Sequence, residues 1–231
     1  MNYNDIREDA YQANMLLPAH GLVIFTFGNV SVADHKAGVF AIKPSGVPYE
    51  ELTPAKMVVV DFDGKTVEGD LRPSSDTKTH AVLYKNWPNV GSVAHTHSTY
   101  ATAWSQTLRD IPLYGTTHAD HLTIDIPCAE PMDDDLIMGD YEHATGLQIL
   151  GLFSRRGISY EEVEMILLGN HAPFTWGANS KKAVYNSVVL ESLAKMAFIT
   201  ESINPDVKRM KESLIRKHYQ RKHGEGGYYG Q

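Results

Sequence analysis

"GSVAHTHSTYATAWSQ", residues 91–106, leads with a short run of small and apolar residues and then sets His95 and His97 on either side of one threonine. The run suits a buried strand, and in a strand residues i and i+2 point to the same face. Both imidazoles then lean into one volume, which is how a sheet offers two nitrogen ligands to a metal ion. The residues that follow read as a helix of about two turns.

Working outward, helices and strands alternate. Residues 4–18 predict an opening helix, because Ile6, Ala10, Ala13, Leu16 and Leu17 recur at near-helical spacing before Pro18 and Gly21 close it. LVIFTFGNVSV (22–32) is β-rich and interrupted at Gly28-Asn29, and GVFAIKPSGVPYEEL (38–52) is a strand running into a Pro/Ser/Gly loop. MVVVDFDGKTVEG (57–69) reads as a hairpin about Asp63-Gly64. RPSSDTKTHAVLYKNWP (72–88) predicts a helix capped near Ser74, Ser75 and Asp76, with Val82 and Leu83 on its inner face. Residues 124–132 predict a strand, and residues 133–153 one helix with an acidic first turn. Residues 164–177 predict a strand with a turn at its end, and 180–203 and 206–223 two closing helices. Such interleaving implies an α/β fold with its sheet covered on both faces. The hairpins make the sheet mixed or antiparallel and not doubly wound. No repeat, low-complexity tract or linker interrupts the pattern, so one domain over 1–231 is expected.

The balance of 21 basic against 28 acidic residues gives a formal charge of −7, which argues against a nucleic-acid or membrane-surface binder. A small anionic ligand remains open, because a pocket needs only local donors. A hydrophobic fraction of 42% against 21% charged argues against wholesale disorder. The single cysteine, Cys128, excludes a disulfide within the chain and fits a reducing compartment. The first residues lack the basic-then-apolar order of a signal peptide, and no stretch approaches the roughly 18 apolar residues of a membrane span. The expected setting is the cytosol.

A third imidazole, His171 in LLGNHAPF (167–174), falls at the end of another apolar run. Two histidines from one strand and a third from a neighbour leave an open coordination position, as catalytic metal sites do. Neutral imidazole suits zinc, manganese or cobalt. Taken singly, the pair is compatible with two polar residues at a strand end, and His171 with a satisfied structural histidine. Their convergence at the ends of buried strands, where unpaired rings are costly, favours the metal. KPSG (43–46) and PSSD (73–76) are Ser-rich turns, the second opening a helix. Hydroxyls, backbone N–H groups and a helix N-terminus suit a phosphate dianion, and Lys43 adds charge, although turn and cap chemistry explains each motif alone. GTTHADH (115–121) offers Asp120 as a proton-transfer group, with His118 and His121 as loop residues or hydrogen-bond partners. Terminal residues usually fray, yet the tail KHYQRKHGEGGYYGQ (217–231) carries His218, His223, Tyr228 and Tyr229 and is expected to dock somewhere, a neighbouring subunit being one choice.

GNVS (28–31), KPSG, RPSSDT (72–77), HTHS (95–98), GTTHAD (115–120), HAPFTWG (171–177) and RKHGEGGYYGQ (221–231) occur in the order found in L-ribulose-5-phosphate 4-epimerases. The chain resembles that family, part of the class II aldolase superfamily, over essentially its whole length. The resemblance implies a three-layer α/β sandwich with a central, largely antiparallel sheet, assembled as a cyclic homotetramer with active sites at subunit interfaces. On this likeness His95, His97 and His171 are zinc ligands, with Mn2+ or Co2+ as substitutes, and Asp76 is an acidic residue close to the metal. Asn29, Lys43, Ser45, Gly46, Ser74 and Ser75 match positions that cradle a sugar phosphate. Asp120 and Tyr229 resemble the two acid/base residues, with Tyr229 reaching in from the adjacent subunit, and His218 matches a substrate-proximal position. The tail, from about 218 to 231, would complete a neighbour's site. The implied reaction is C4 epimerisation of L-ribulose 5-phosphate to D-xylulose 5-phosphate by retro-aldol cleavage and re-addition, in pentose or ascorbate catabolism. Two rivals share the fold: an aldolase of the L-fuculose 1-phosphate type, and a non-catalytic binding module like the adducin head. In such aldolases the position of Asp76 resembles a glutamate base, so the shorter side chain counts against the first. The retained histidines count against the second. Without the resemblance, the residues support only a metal-dependent enzyme acting on a small phosphorylated substrate.

Overall fold

The computed structural model describes residues 3–224 and Gly227. The chain opens with helix α1 (Asn4–Ala19), then β1 (Asn29–Asp34) and β2 (Val39–Ile42). Two short 3-10 turns (Tyr49–Glu51 and Pro54–Lys56) lead to the hairpin β3 (Val58–Asp61) and β4 (Thr66–Glu68). Next come α2 (Thr77–Asn86), β5 (Ser92–His95), α3 (Thr99–Thr107), α4 (Thr116–Ala119), β6 (Cys128–Ala129), α5 (Asp134–Ile137) and α6 (Tyr141–Arg156). The hairpin β7 (Met165–Leu168) and β8 (Pro173–Gly177) precedes α7 (Ser180–Ile203) and α8 (Glu212–His223). The eight strands form one sheet in the order β4-β3-β2-β1-β5-β8-β7-β6, antiparallel except between β6 and β7.

The two faces of the sheet follow from strand alternation. Phe40, Ile42 and Val93 point to a cluster that includes Leu83 and Tyr84 of α2 and Ile149 and Phe153 of α6. Their neighbours Val39 and Ala41 meet Ala10 of α1 on the other face, where Val30 and Ala94 meet Ala183 and Val184 of α7. Helices therefore cover both faces, and the sheet is largely antiparallel, as the sequence implies. At one edge Cys128 is buried, and that burial with the nearby Asp110 carboxylate pushes its thiol up to about 12.

Five expected elements differ. Strand β1 begins only at Asn29, and residues 22–28 are irregular, because Lys43 and Tyr49 take the carbonyls of Thr26, Phe27 and Gly28 that a ladder would need. The strand expected over 124–132 shrinks to two residues, flanked by Pro127 and Pro131, which have no N–H to give a ladder. The helix expected over 133–153 is two helices, parted at Met138–Asp140, and its second part is the one that packs on α2. Residues 164–177 are a full hairpin, so His171 lies in its turn and not at a strand terminus. The last helix starts at Glu212, after an irregular stretch over 206–211.

Helices α2 and α6 approach closely at Gly146, where an added Cβ would stand 2.6 Å from Val82 Cβ and 3.2 Å from the Thr79 carbonyl oxygen. Alanine gains about 1 kcal/mol of helix propensity over glycine. Overpacking costs about 1–3 kcal/mol, and Val82 Cβ is fixed to its backbone and cannot swing aside. Gly146→Ala is therefore expected to destabilise, lowering the thermal midpoint by a few degrees for a chain of this size; an unchanged or raised midpoint in calorimetry would contradict the close packing.

Candidate functional site

The antiparallel ladders across the middle of the sheet place Asn29 beside His95 and His95 beside Phe174. His95 ends β5, and its ring stacks on Phe174 with centroids 4.1 Å apart. Its Nδ1 lies 2.9 Å from the Pro173 carbonyl oxygen. A carbonyl only accepts, so Nδ1 carries the proton and Nε2 is left with its lone pair. His97 lies two residues past the strand end and is more exposed. His171 is held in the β7–β8 turn, where Asn170 adopts a left-handed φ of +60° and donates its N–H to the Ser105 carbonyl.

The three rings meet with centroids 4.9, 5.0 and 5.4 Å apart, and one donor nitrogen from each lies within 4.8 Å of the other two. Burial lowers all three pKa values, with the neighbouring imidazoles adding to it at His95 and His171. His95 falls to about 3 and His171 to about 4, so both are neutral lone-pair donors at pH 7. A set of three neutral imidazoles fits a borderline divalent metal with a position left open for another ligand. Asp76 lines the same cleft but stands outside that group of three; its Oδ2 accepts from Asn29 Nδ2 at 2.6 Å.

The cleft has a volume of about 380 Å³, and beside the imidazoles it gathers Asn29, Lys43, Ser45, Gly46, Ser74, Ser75 and Asp76. What joins the two Ser-rich turns is a backbone lattice. Ser45 N–H donates to the Arg72 carbonyl at 2.9 Å, Ser74 N–H to the Lys43 carbonyl at 3.0 Å, and Pro44 bridges Pro73. Helix α2 then starts at Thr77, and its residues 76, 80 and 84 fall on one face. Ser31 of β1 grips that face, its Oγ 2.7 Å from His80 Nδ1 and 2.6 Å from the Tyr84 hydroxyl.

Lys43 is only 2% exposed, yet its ammonium meets the Thr26 and Pro44 carbonyls and the Tyr49 ring and no carboxylate among the described residues. Burial brings its pKa down to about 8. The carboxamide Oδ1 of Asn29 is likewise buried without a partner. A buried cation lacking a counter-charge, beside hydroxyls and a helix start, is the electrostatic signature of an anion site.

Asp120 and His218 do not line this cleft. They form a second cluster in which the Asp120 carboxylate meets His218 Nδ1 at 3.0 Å and Arg221 at 3.0 and 3.2 Å. Burial pushes the Asp120 pKa up, but the hydrogen bonds and charges of Arg221 and His218 outweigh it and hold the carboxyl below its usual range. His118, read as a loop residue or a hydrogen-bond partner, is buried in the short α4, and desolvation lowers it to about 4. Tyr229 and Tyr228 lie outside the described residues. Sequence reasoning missed Tyr141, Glu142 and Phe27 in the cleft wall, and Tyr49 behind it. The Tyr141 hydroxyl stands 3.3 Å from His171 Nδ1, a placement concealed because 133–153 reads as one helix. A separate cleft of about 410 Å³ holds Asp110, Asp125, Arg156 and Arg209, but these pair as Arg156–Asp110 and Arg209–Asp125, leaving no unmatched cation there among the described residues.

Residues 8–198 match the family described as class II aldolase and adducin N-terminal domain. Two curated relatives, both named L-ribulose-5-phosphate 4-epimerase UlaF, come from Salmonella paratyphi C and Salmonella choleraesuis. Each is 47% identical over 226 residues, covering 98% of this chain and 98% of its own. Among solved structures, an L-fuculose 1-phosphate aldolase superposes with a TM-score of 0.78 at 22% identity, over 95% of this chain and 97% of its own. The L-fuculose-1-phosphate aldolase from Thermus thermophilus gives 0.68 at 23% identity, over 89% and 98%. At those identities the structural likeness bears on the fold alone.

Because the Lys43 ammonium exists below about pH 8 and is lost above it, affinity for an anion whose own charge stays fixed should fall as pH rises through that value. Calorimetric titration with sulfate, a dianion throughout, from about pH 6.5 to 9.5 checks this, and affinity that does not fall over that range would remove Lys43 from the anion site.

Proposed function

The chain belongs to the class II aldolase family, and we propose that within it the protein is an L-ribulose-5-phosphate 4-epimerase, forming D-xylulose 5-phosphate. The observation that carries this reading is a single cleft in which three neutral imidazoles adjoin an unpaired buried lysine and two serine turns. Identity to relatives of that name along nearly the whole chain supports the choice of substrate.

On this reading His95, His97 and His171 would hold a divalent ion, zinc by preference, with Asp76 close by. When bound, the ion supplies a Lewis acid that stabilises negative charge on the ketose oxygens. Lys43, Ser45, Gly46, Ser74 and Ser75 bind the phosphate, and Asn29 ties that cradle to Asp76 through its bonds to Ser74 Oγ and Asp76 Oδ2. The chemistry needs a base to take the C4 hydroxyl proton. The C4 oxygen then becomes a carbonyl as the C3–C4 bond breaks, and the bonding pair stays with the three-carbon fragment. The aldehyde turns over, its other face accepts that pair, and an acid returns a proton to the C4 oxygen. Two proton-transfer groups on opposite faces serve the two C4 orientations, and we assign these to Asp120 and Tyr229.

Asp120 and His218 lie together and off the cleft of their own chain, so the proposal draws them, with the tail, from an adjacent copy in a homotetramer. The whole of 1–231 then acts as one domain, in cytoplasmic pentose or ascorbate catabolism. No helix of the described residues is long and apolar enough to cross a membrane.

The decisive assay follows D-xylulose 5-phosphate from L-ribulose 5-phosphate on metal-assayed protein. Product should form, stop on chelation and return with added zinc; release of free aldehyde phosphate without epimer would shift the reading to an aldolase. His97→Asn should lose bound metal and at least about a hundredfold in turnover while staying folded. Tyr229→Phe should slow epimerisation by about 10²–10⁴ with metal content unchanged, the range of one acid/base group; full turnover would take the tail out of the mechanism.

A further inference from the structure

Tyr49 does not line the cleft, yet it touches three residues that do, Phe27, Gly28 and Lys43. It is 4% exposed, and its hydroxyl lies 3.0 Å from both the Phe27 and the Gly28 carbonyl oxygens. The Lys43 ammonium sits 4.9 Å from its ring centroid, while the same ammonium donates to the Thr26 carbonyl at 3.3 Å. Thr26, Phe27, Gly28 and Lys43 all belong to the cleft wall. Three consecutive carbonyls are thus engaged by two side chains, the single phenolic proton of Tyr49 being shared between those of Phe27 and Gly28.

That matters because carbonyl oxygens facing an anion repel it. The segment is also held in an unfavourable shape at Phe25, a non-glycine residue with φ +52°. At Gly28 a Cβ would come within 2.9 Å of the His95 carbonyl oxygen, so the segment runs hard against the metal-ligand strand. Leu22 and Val23 pack into the α1–α7 cluster and anchor the start of the segment, but Ile24, Phe25 and Phe27 are exposed, so apolar burial does little for its cleft end. Apart from the turn bond from Phe27 N–H to the Ile24 carbonyl, the hydrogen bonds from Tyr49 and Lys43 are the described polar contacts made by the carbonyls of that end.

We propose that Tyr49 is a positioning residue of the anion site: its hydroxyl gathers the Phe27 and Gly28 carbonyls off the cleft and its ring face carries the Lys43 ammonium. It thereby sets affinity for phosphorylated ligands without touching them. The inference rests on the phosphate reading of the cleft.

The test uses the full-length, metal-loaded protein, with inorganic phosphate and L-ribulose 5-phosphate as probes. Tyr49→Phe keeps the ring and deletes the hydroxyl. It should weaken phosphate binding and raise KM by about tenfold, the scale of one lost hydrogen bond with its partners left unmatched. The kcat and the metal content should stay within about twofold, which a general loosening of the fold would not allow. Tyr49→Leu removes ring and hydroxyl and should cost more in the same two quantities; it carries the same test if the phenylalanine variant is not recovered folded. Lys43→Met is the reference. If it leaves phosphate affinity intact, the phosphate reading itself fails. If it weakens binding while Tyr49→Phe does not, the role of Tyr49 alone is overturned. Combining Lys43→Met with Tyr49→Phe should give less than the sum of the separate losses, since one acts through the other; strict additivity counts against the proposal.

Discussion

The site depends on one register. Where β1, β5 and β8 run side by side, Asn29, His95 and Phe174 stand in a row at one end of the sheet. Side-chain direction has period 2, so a slip of one residue in β5 would turn His95 into the opposite face and Ala94 into the cleft. The register is secured by what it buries. Val93 goes into the cluster with Phe174 and Trp176, and Ala94 into the one with Val30 and Val184. The direction in which His95 points is therefore a by-product of two cores that must be filled from opposite sides of the same strand.

Around that row the anion side is built from turns that have no ladder of their own. The backbone bonds between Ser45 and Arg72 and between Ser74 and Lys43 bring two segments, far apart in sequence, into one cradle. Helix α2 is seated by Ser31 through His80 and Tyr84, which fixes where Asp76 begins it. The contacts among Ser31, His80 and Tyr84 are buried, where an unmatched group is costly, so they admit few alternative arrangements. Lys43 is the exception, a cation left with carbonyls and a ring for company.

Much of this was legible in the residues. His95 and His97 do lean into one cleft, although β5 ends at His95 and His97 lies beyond it, and the two Ser-rich turns meet in that cleft with Lys43, Ser45 and Ser74. The resemblance supplied Asn29 and Asp76, which line the same cleft, and Asp120 and His218, which do not. What escaped has physical causes. Ile24, Phe25 and Phe27 have strand composition, but propensity is silent about carbonyls claimed by Tyr49 from more than twenty positions away. The turn that carries His171 was hidden because an uninterrupted apolar pattern on both sides of Gly169-Asn170 looks like one strand. Asp120 and His218 sit 98 positions apart in sequence and find each other only through the packing of α4 against α8.

The buried thiol at the sheet edge has a consequence for handling the protein. Burial and the nearby Asp110 carboxylate raise the Cys128 thiol to about 12, so it stays a thiol at neutral pH. Native chain should then be nearly silent to alkylating reagents, and any labelling it does show measures how often the β6 edge opens and not how reactive the sulfur is. The molecule carries its own clock for local opening, and a cysteine introduced elsewhere on the surface could bear a probe without competition.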